Sequence, residues 1–298
     1  MQLSRERFRT SKSNRYRIVQ KAVAHLLLWL LLTGPLLWIV GYSLLTSLRE
    51  SESANTSWTI RHWLSIVGRS SIRDALLHSL IISSTVTLIV IITTFTILFT
   101  KPTIRQSRTF ATTVCIILAT PSTVIALIVS QLLSGGGLLS RVCYLLGIID
   151  STSSFPVLVN DRLGIGMVIA LSITLLPLPL LYFSKLWQTL HLDRILALSE
   201  SLGATSFQSH LYVALPMLLQ RGYSILFLIF LLCLGSYEVP YLLDSQSPEM
   251  ISVAVQRRTG VYELTTRPEA FVLATIYFLT CILLLLLFIH GRNTHATK

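Results

Sequence analysis

Six runs rich in Leu, Ile and Val recur along this chain, near 22–46, 77–99, 109–133, 164–184, 222–243 and 270–290. Each is long enough to cross a bilayer as a helix, which takes about 20 residues. The runs are continuous rather than alternating, so they predict helices and not the strands of a barrel. The polar segments between them are mostly featureless, except for 185–221, which is too long for a simple helix–helix turn. The pattern predicts an all-α membrane protein with six transmembrane helices.

Composition supports the same class. With 52% hydrophobic and only 12% charged residues, the 298-residue chain lacks the charged surface that a soluble domain of this length needs. The first run follows Arg5, Arg7, Arg9, Lys12, Arg15, Arg17 and Lys21, as a leader would. Its apolar core is too long for a signal peptide and no small-residue cleavage site follows, so a retained helix is expected. With a cytoplasmic N-terminus, the inner segments hold fifteen of the 24 Lys and Arg, and the longer outer loops hold nine. Glu6, Asp193 and Glu200 lie inside, and the other ten acids lie outside or at the outer edge. This bias puts both termini in the cytoplasm. The net charge of +11 then reads as topology signal and anionic-lipid contact, with no nucleic-acid role.

The expected organisation is a basic cytoplasmic tail (1–21) that is poorly ordered or lipid-facing, a six-helix domain (22–290) and a short cytoplasmic tail (291–298). The segment from Trp58 to Val67 reads as a short amphipathic stretch at the interface, and Gly135, Gly136 and Gly137 mark the outer end of the third helix. Cys115, Cys233 and Cys281 lie in apolar runs and Cys143 stands alone, so neither a disulfide framework nor a metal site is implied, and no cofactor is expected.

Within 185–221, Asp193 is expected to cap a short helix that carries Ile195, Leu198 and Leu202 on one face and ends at a left-handed Gly203. Thr205-Ser-Phe-Gln208 has the capping-box pattern for a second helix. That helix would carry Phe207, Leu211, Leu215 and Leu218 at near-helical spacing, interrupted by Pro216. Two short helices broken at Gly203-Ala204 would form a knob.

From Gly203 the chain reaches Val213 in ten steps and Pro216 in thirteen, closing on Val-Ala-Leu-Pro. This spacing resembles the cytoplasmic loop of binding-protein-dependent ABC importer permeases, Glu-Ala-Ala, three residues, Gly, nine residues, Ile-x-Leu-Pro. Leu-Gly-Ser-Tyr-Glu-Val-Pro-Tyr-Leu-Leu (234–243) looks like the fifth-helix segment of permeases for polyamines, ferric iron and thiamine. Pro121, Pro177 and Pro179 fall where that family carries helix-breaking prolines. The similarity covers about residues 57–290. Two departures stand out. The Glu-Ala-Ala positions fall on Ala197, Leu198 and Ser199, with Glu200 three residues late, and His78-Ser79 stands where many relatives have Asn before Ser or Thr.

The resemblance implies a MetI-like fold and a transport subunit rather than an enzyme, in a bacterial plasma (inner) membrane. The chain has no phosphate-binding Gly-x-x-x-x-Gly-Lys-Ser/Thr loop, so ATP would act through a separate ABC ATPase subunit. The other implied partners are a second permease subunit, an extracytoplasmic solute-binding protein and membrane lipid. The ATPase would move the 198–212 loop, with Ala197, Glu200, Gly203, Ala204, Thr205, Phe207, Val213, Leu215 and Pro216 as coupling residues. The displaced acid suggests the variant half of an asymmetric pair.

Glu238 is the one carboxylate inside the spans as drawn, roughly 24 Å along the fifth helix at 1.5 Å per residue, and such a residue is a candidate gate or cation contact. Tyr237 and Gln131 are candidates for the same pathway. Ser83, Ser84, Thr85 and Thr87 can line it too, although such hydroxyls more often bond helix carbonyls. His25 and His290 read as interfacial residues. An ion-coupled secondary transporter is the alternative, disfavoured by the lack of paired intramembrane charges. A membrane enzyme is disfavoured by the lack of His-Glu-x-x-His and Gly-x-Ser-x-Gly.

Overall fold

The structure, a computed structural model, describes residues 2–49, 58–100, 107–245, 247–259 and 267–296. Lys101 and Arg105 of the expected inner turn lie outside them. The chain begins with α1 (Gln2–Ser47), α2 (Arg61–Val67), α3 (Ser70–Thr100), α4 (Arg108–Ala119), α5 (Ser122–Leu133) and α6 (Leu138–Leu145). It continues through α7 (Ile165–Leu175), α8 (Pro177–Thr189), α9 (Leu192–Ser201), α10 (Ser206–Ser209) and a π segment (His210–Ala214). The last elements are α11 (Leu215–Leu234), α12 (Glu238–Leu243), α13 (Ile251–Thr259) and α14 (Arg267–Ala296). No β-strand occurs among the described residues. Among the described residues, six stretches are long and apolar enough to span a membrane: His25–Ser47, Ser70–Thr100, Ser122–Leu145, Ile165–Thr189, Ser206–Leu234 and Pro268–Gly291. The expected multi-pass helical character is therefore present.

Two compact units divide the chain, residues 1–66 with 261–279, and residues 67–260 with 280–298. In the first, α1 is helical from Gln2, so the basic tail, expected to be poorly ordered or lipid-facing, is the start of the first helix. Ser43 Oγ donates to the Phe271 carbonyl at 3.3 Å, and the Tyr42 and Phe271 rings meet edge to face. Trp63, in the expected interfacial stretch, donates its indole N–H to Ser47 Oγ at 3.2 Å.

The second unit packs α3, α5, α7 and α11 around Val86, Val90, Ala126, Met167, Ala170 and Ile229, all buried. Lipid tails are as apolar as these side chains, so close van der Waals packing rather than water exclusion holds such helices together. Small residues make the approach. At Gly222 of α11 an added Cβ would fall on the Phe183 ring of α8.

Two interruptions, and one proline that makes none, refine the expected spans. The third run breaks at Thr120-Pro121, because proline has no N–H and pushes the preceding residue out of the α region; Thr120 has ψ 126. Pro177 causes no such break, since Leu176 stays right-handed α and the proline sits at the first position of α8. The fifth run starts earlier than expected and ends at Leu234, with Gly235, Ser236 and Tyr237 separating it from α12.

Candidate functional site

The segment from Leu192 to Ala214 folds as a knob of two helices and a π turn. Gly203 has φ +97, a conformation a β-carbon would strain, and its N–H bonds the Glu200 carbonyl at 3.0 Å. Thr205 then builds both halves of the capping box: its hydroxyl accepts from Gln208 N at 3.3 Å, and its own N–H donates to Gln208 Oε1 at 3.0 Å. Ser199 Oγ donates to Ser209 Oγ at 2.7 Å, tying α9 to α10. The break, the cap and the helix pair stand as the sequence predicts.

Asp193 does not cap α9. The N-cap is His191, itself left-handed at φ 51, and Asp193 lies in the first turn, accepting the indole N–H of Trp187 at 2.9 Å. The expected apolar face is divided, with Ile195 half-buried against the core and its other two members exposed. Leu192 and Leu196 are buried, whereas Leu198 is 64% and Leu202 82% exposed. In the second helix Leu218 is buried but Phe207 is 74% and Tyr212 72% exposed. The π turn at 210–214 shifts the bonding from i→i+4 to i→i+5, which breaks the single stripe that a 3.6-residue period predicts. Ala197, Glu200, Thr205 and Pro216 are exposed, Ala204 is half-buried, and Val213 and Leu215 pack half-buried on the core beneath.

That core joins Phe95 and Leu98 of α3, Phe183 and Trp187 of α8, and Leu192 and Leu196 of α9. The knob is thus seated by one apolar face and presents another, interspersed with Arg194, Glu200, Ser201 and Gln208. Large apolar side chains set among polar ones on a projecting element are the usual make-up of a protein-docking surface.

A second polar site forms where two helix interruptions meet. Ser122, the first residue of α5 after Pro121, donates to the Glu238 carboxylate at the start of α12. Glu238 is exposed, and the neighbouring Tyr237 and Tyr241 rings lie 5.3 Å apart. The fifth span closes at Leu234, so Glu238 lies beyond it and not within a continuous helix as expected. Gln131 is exposed nine residues past Ser122, about 13 Å further along α5. The structure pairs Glu238 with Ser122 instead. Ser84, Thr85 and Thr87 bond the carbonyls of Leu80, Ile81 and Ser83, and take no part in the site.

A third cluster was not foreseen. His78 Nε2 lies 3.2 Å from Asp244 Oδ1, and the same buried carboxylate accepts the N–H groups of Ser245 at 2.8 Å and Met250 at 2.9 Å. Ser79 Oγ accepts Ile251 N–H at 2.8 Å. Together they clamp the segment between α12 and α13 onto α3. Beside it, Glu249 faces Arg257 at 3.1 Å and Arg258 at 3.9 Å. Burial raises the Glu249 carboxyl above its ordinary value, a shift the two arginines oppose and Asp244 reinforces. The sequence signal for the clamp is faint: His78 stands out only as a departure from the pattern of the family the chain resembles.

No protein-family model matches the chain, and no curated protein is found as a relative.

Proposed function

We propose that this chain is the transmembrane subunit of an ATP-driven, binding-protein-dependent importer of the MetI-like type. The observation that carries the reading is the knob at 192–214, held rigid by its capping box and seated on a core while Leu198, Leu202, Phe207 and Tyr212 project outward. A linker between two spans needs neither a rigid cap nor an exposed apolar face. A joint that is pushed by a partner needs both. The partner is an ABC ATPase subunit at the cytoplasmic face of a bacterial plasma membrane. Its closure on ATP displaces the knob, and rigid-body movement of the attached helices opens the pathway to one side or the other.

A second permease subunit completes the pathway, and a solute-binding protein delivers a small hydrophilic solute from outside. Glu238, with Ser122 and Tyr237, is assigned to the solute pathway because the site is polar, exposed and built at two helix interruptions. The buried His78–Asp244 pair is the observation that bears on ion-coupled transport. Its carboxylate is already satisfied by two backbone N–H groups of the adjoining segment, which favours a structural clamp.

The test is purification in mild detergent from the native host. An ATPase that co-purifies, and uptake that follows ATP and survives collapse of ion gradients, support the reading. Uptake abolished by an ionophore with ATP intact would overturn it.

A further inference from the structure

Beneath the knob three rings form a triangle. His210, at the start of the π turn, lies with its ring centroid 5.2 Å from Phe99 of α3 and 5.9 Å from Trp187 of α8, and these two lie 6.1 Å from each other. The imidazole is fixed in its tautomer: its Nδ1 is 2.7 Å from the Ser206 carbonyl, which can only accept, so Nδ1 carries the proton. The triangle is continuous with the membrane helices. Phe99 stacks on Phe95, Phe95 packs on Phe183 at 5.0 Å, and Phe183 fills the space left by Gly222 of α11. Every link in this chain is an aromatic side chain or the glycine that admits one.

The geometry has two further features. The π turn, a form that costs regular hydrogen bonding and clusters at functional sites, sits where His210 enters the triangle. Beside His210 and Phe99 a cavity of about 360 Å³ opens between Thr96 and Thr100 of α3 and Ser206, Phe207 and Leu211 of the knob. The knob is seated on α3 and α8 through Leu192, Leu196 and Ala214 as well as through the His210 ring, and free space lies beside that ring.

We propose that His210 is the positioning residue through which displacement of the knob is relayed to α3, α8 and α11. The inference rests on the importer reading above, and adds that the relay is a ring contact rather than the backbone alone.

The test uses the chain with its co-purifying ATPase in nanodiscs, with Trp29, Trp38, Trp58 and Trp63 replaced by Phe so that Trp187 is the chain's one tryptophan, its signal read as the difference from a matched complex carrying Trp187→Phe. Trapping the ATPase closed with ATP and vanadate should change the Trp187 emission. In His210→Ala the same amount of ATPase should be retained while the emission change falls about tenfold, the effect that losing two ring contacts permits. His210→Phe, which keeps a ring but not the bond to Ser206, should restore most of the change. A full response in His210→Ala overturns the relay, as does a Phe variant no better than Ala. Loss of the ATPase from His210→Ala also overturns it, because the residue would then be holding the docking surface. If no ATPase accompanies the unaltered chain, the importer reading falls first and the relay with it.

Discussion

Single residues with several partners decide where this fold is fragile. Asp244 is an example, a buried carboxylate that accepts from two backbone N–H groups and faces His78. Asp244→Ala leaves those donors without acceptors, and each costs about 1–3 kcal/mol when buried and unmet. The expected loss is about 3 kcal/mol or more, read as a lowered thermal midpoint in detergent. Ser79→Ala removes the acceptor for Ile251 N–H alone and should cost about 1–2 kcal/mol. Equal losses in the two variants would contradict the clamp. Glu249 gives the pH dependence. Because its folded-state carboxyl is raised by burial, the folded chain holds that proton where the unfolded chain has released it. Stability from this group therefore falls as pH rises from the ordinary carboxylate range towards the raised value, and levels off above it. Glu249→Gln should flatten that fall, measured as thermal midpoint against pH. None of this was legible in the sequence. Asp244 and His78 are 166 positions apart, and nothing in a local pattern announces a pair made by tertiary packing.

At the scale of elements the sequence was far more legible. Capping is local chemistry, so Thr205 and Gln208 declare their helix start three residues apart, and Gly203 its helix end. Proline at 121 declares a break for the same reason. What the pattern left open was the orientation of the apolar stripes, since periodicity gives a face but not the direction it points. Leu198 and Leu202, expected on one face with Ile195, stand in the open, because Leu192 and Leu196 already fill the seat on Trp187 and Phe183. The Gly203 joint carries its own prediction. Its left-handed φ costs a residue with a β-carbon roughly 1–2 kcal/mol. Nothing lies within 4 Å of the position an added Cβ would take, so the strain stays in the backbone. Gly203→Leu should insert normally and keep its thermal midpoint to within a few degrees, yet abolish solute-stimulated ATP hydrolysis in the complex. Normal stimulation would show that the angle between α9 and α10 is not what the ATPase reads.

On the scale of the whole molecule, the chain has two kinds of exposed apolar surface, and they call for different solvents. Along the spans, Leu and Ile are exposed in unbroken rows, as at Leu26 to Leu32 of α1, which suits lipid. On the knob the exposed Leu202, Phe207 and Tyr212 are flanked by Ser201, Thr205, Ser206 and Gln208, all exposed and polar. A lipid surface would strip water from those exposed polar groups, whereas a protein groove accommodates both. The two explanations separate by substitution. Replacing Leu202 and Phe207 together by Asp should leave membrane insertion and the thermal midpoint nearly unchanged, because neither side chain contributes to the core. It should reduce the ATPase recovered with the chain by about tenfold or more, since one buried anchor lost from an interface costs about 2 kcal/mol or above. The same pair of changes on the lipid-facing rows, at Leu28 and Leu31, should instead impair insertion and leave any assembled complex intact. If the knob variant fails to insert while retaining its ATPase, the knob is buried in lipid, and the joint must be sought elsewhere on the chain.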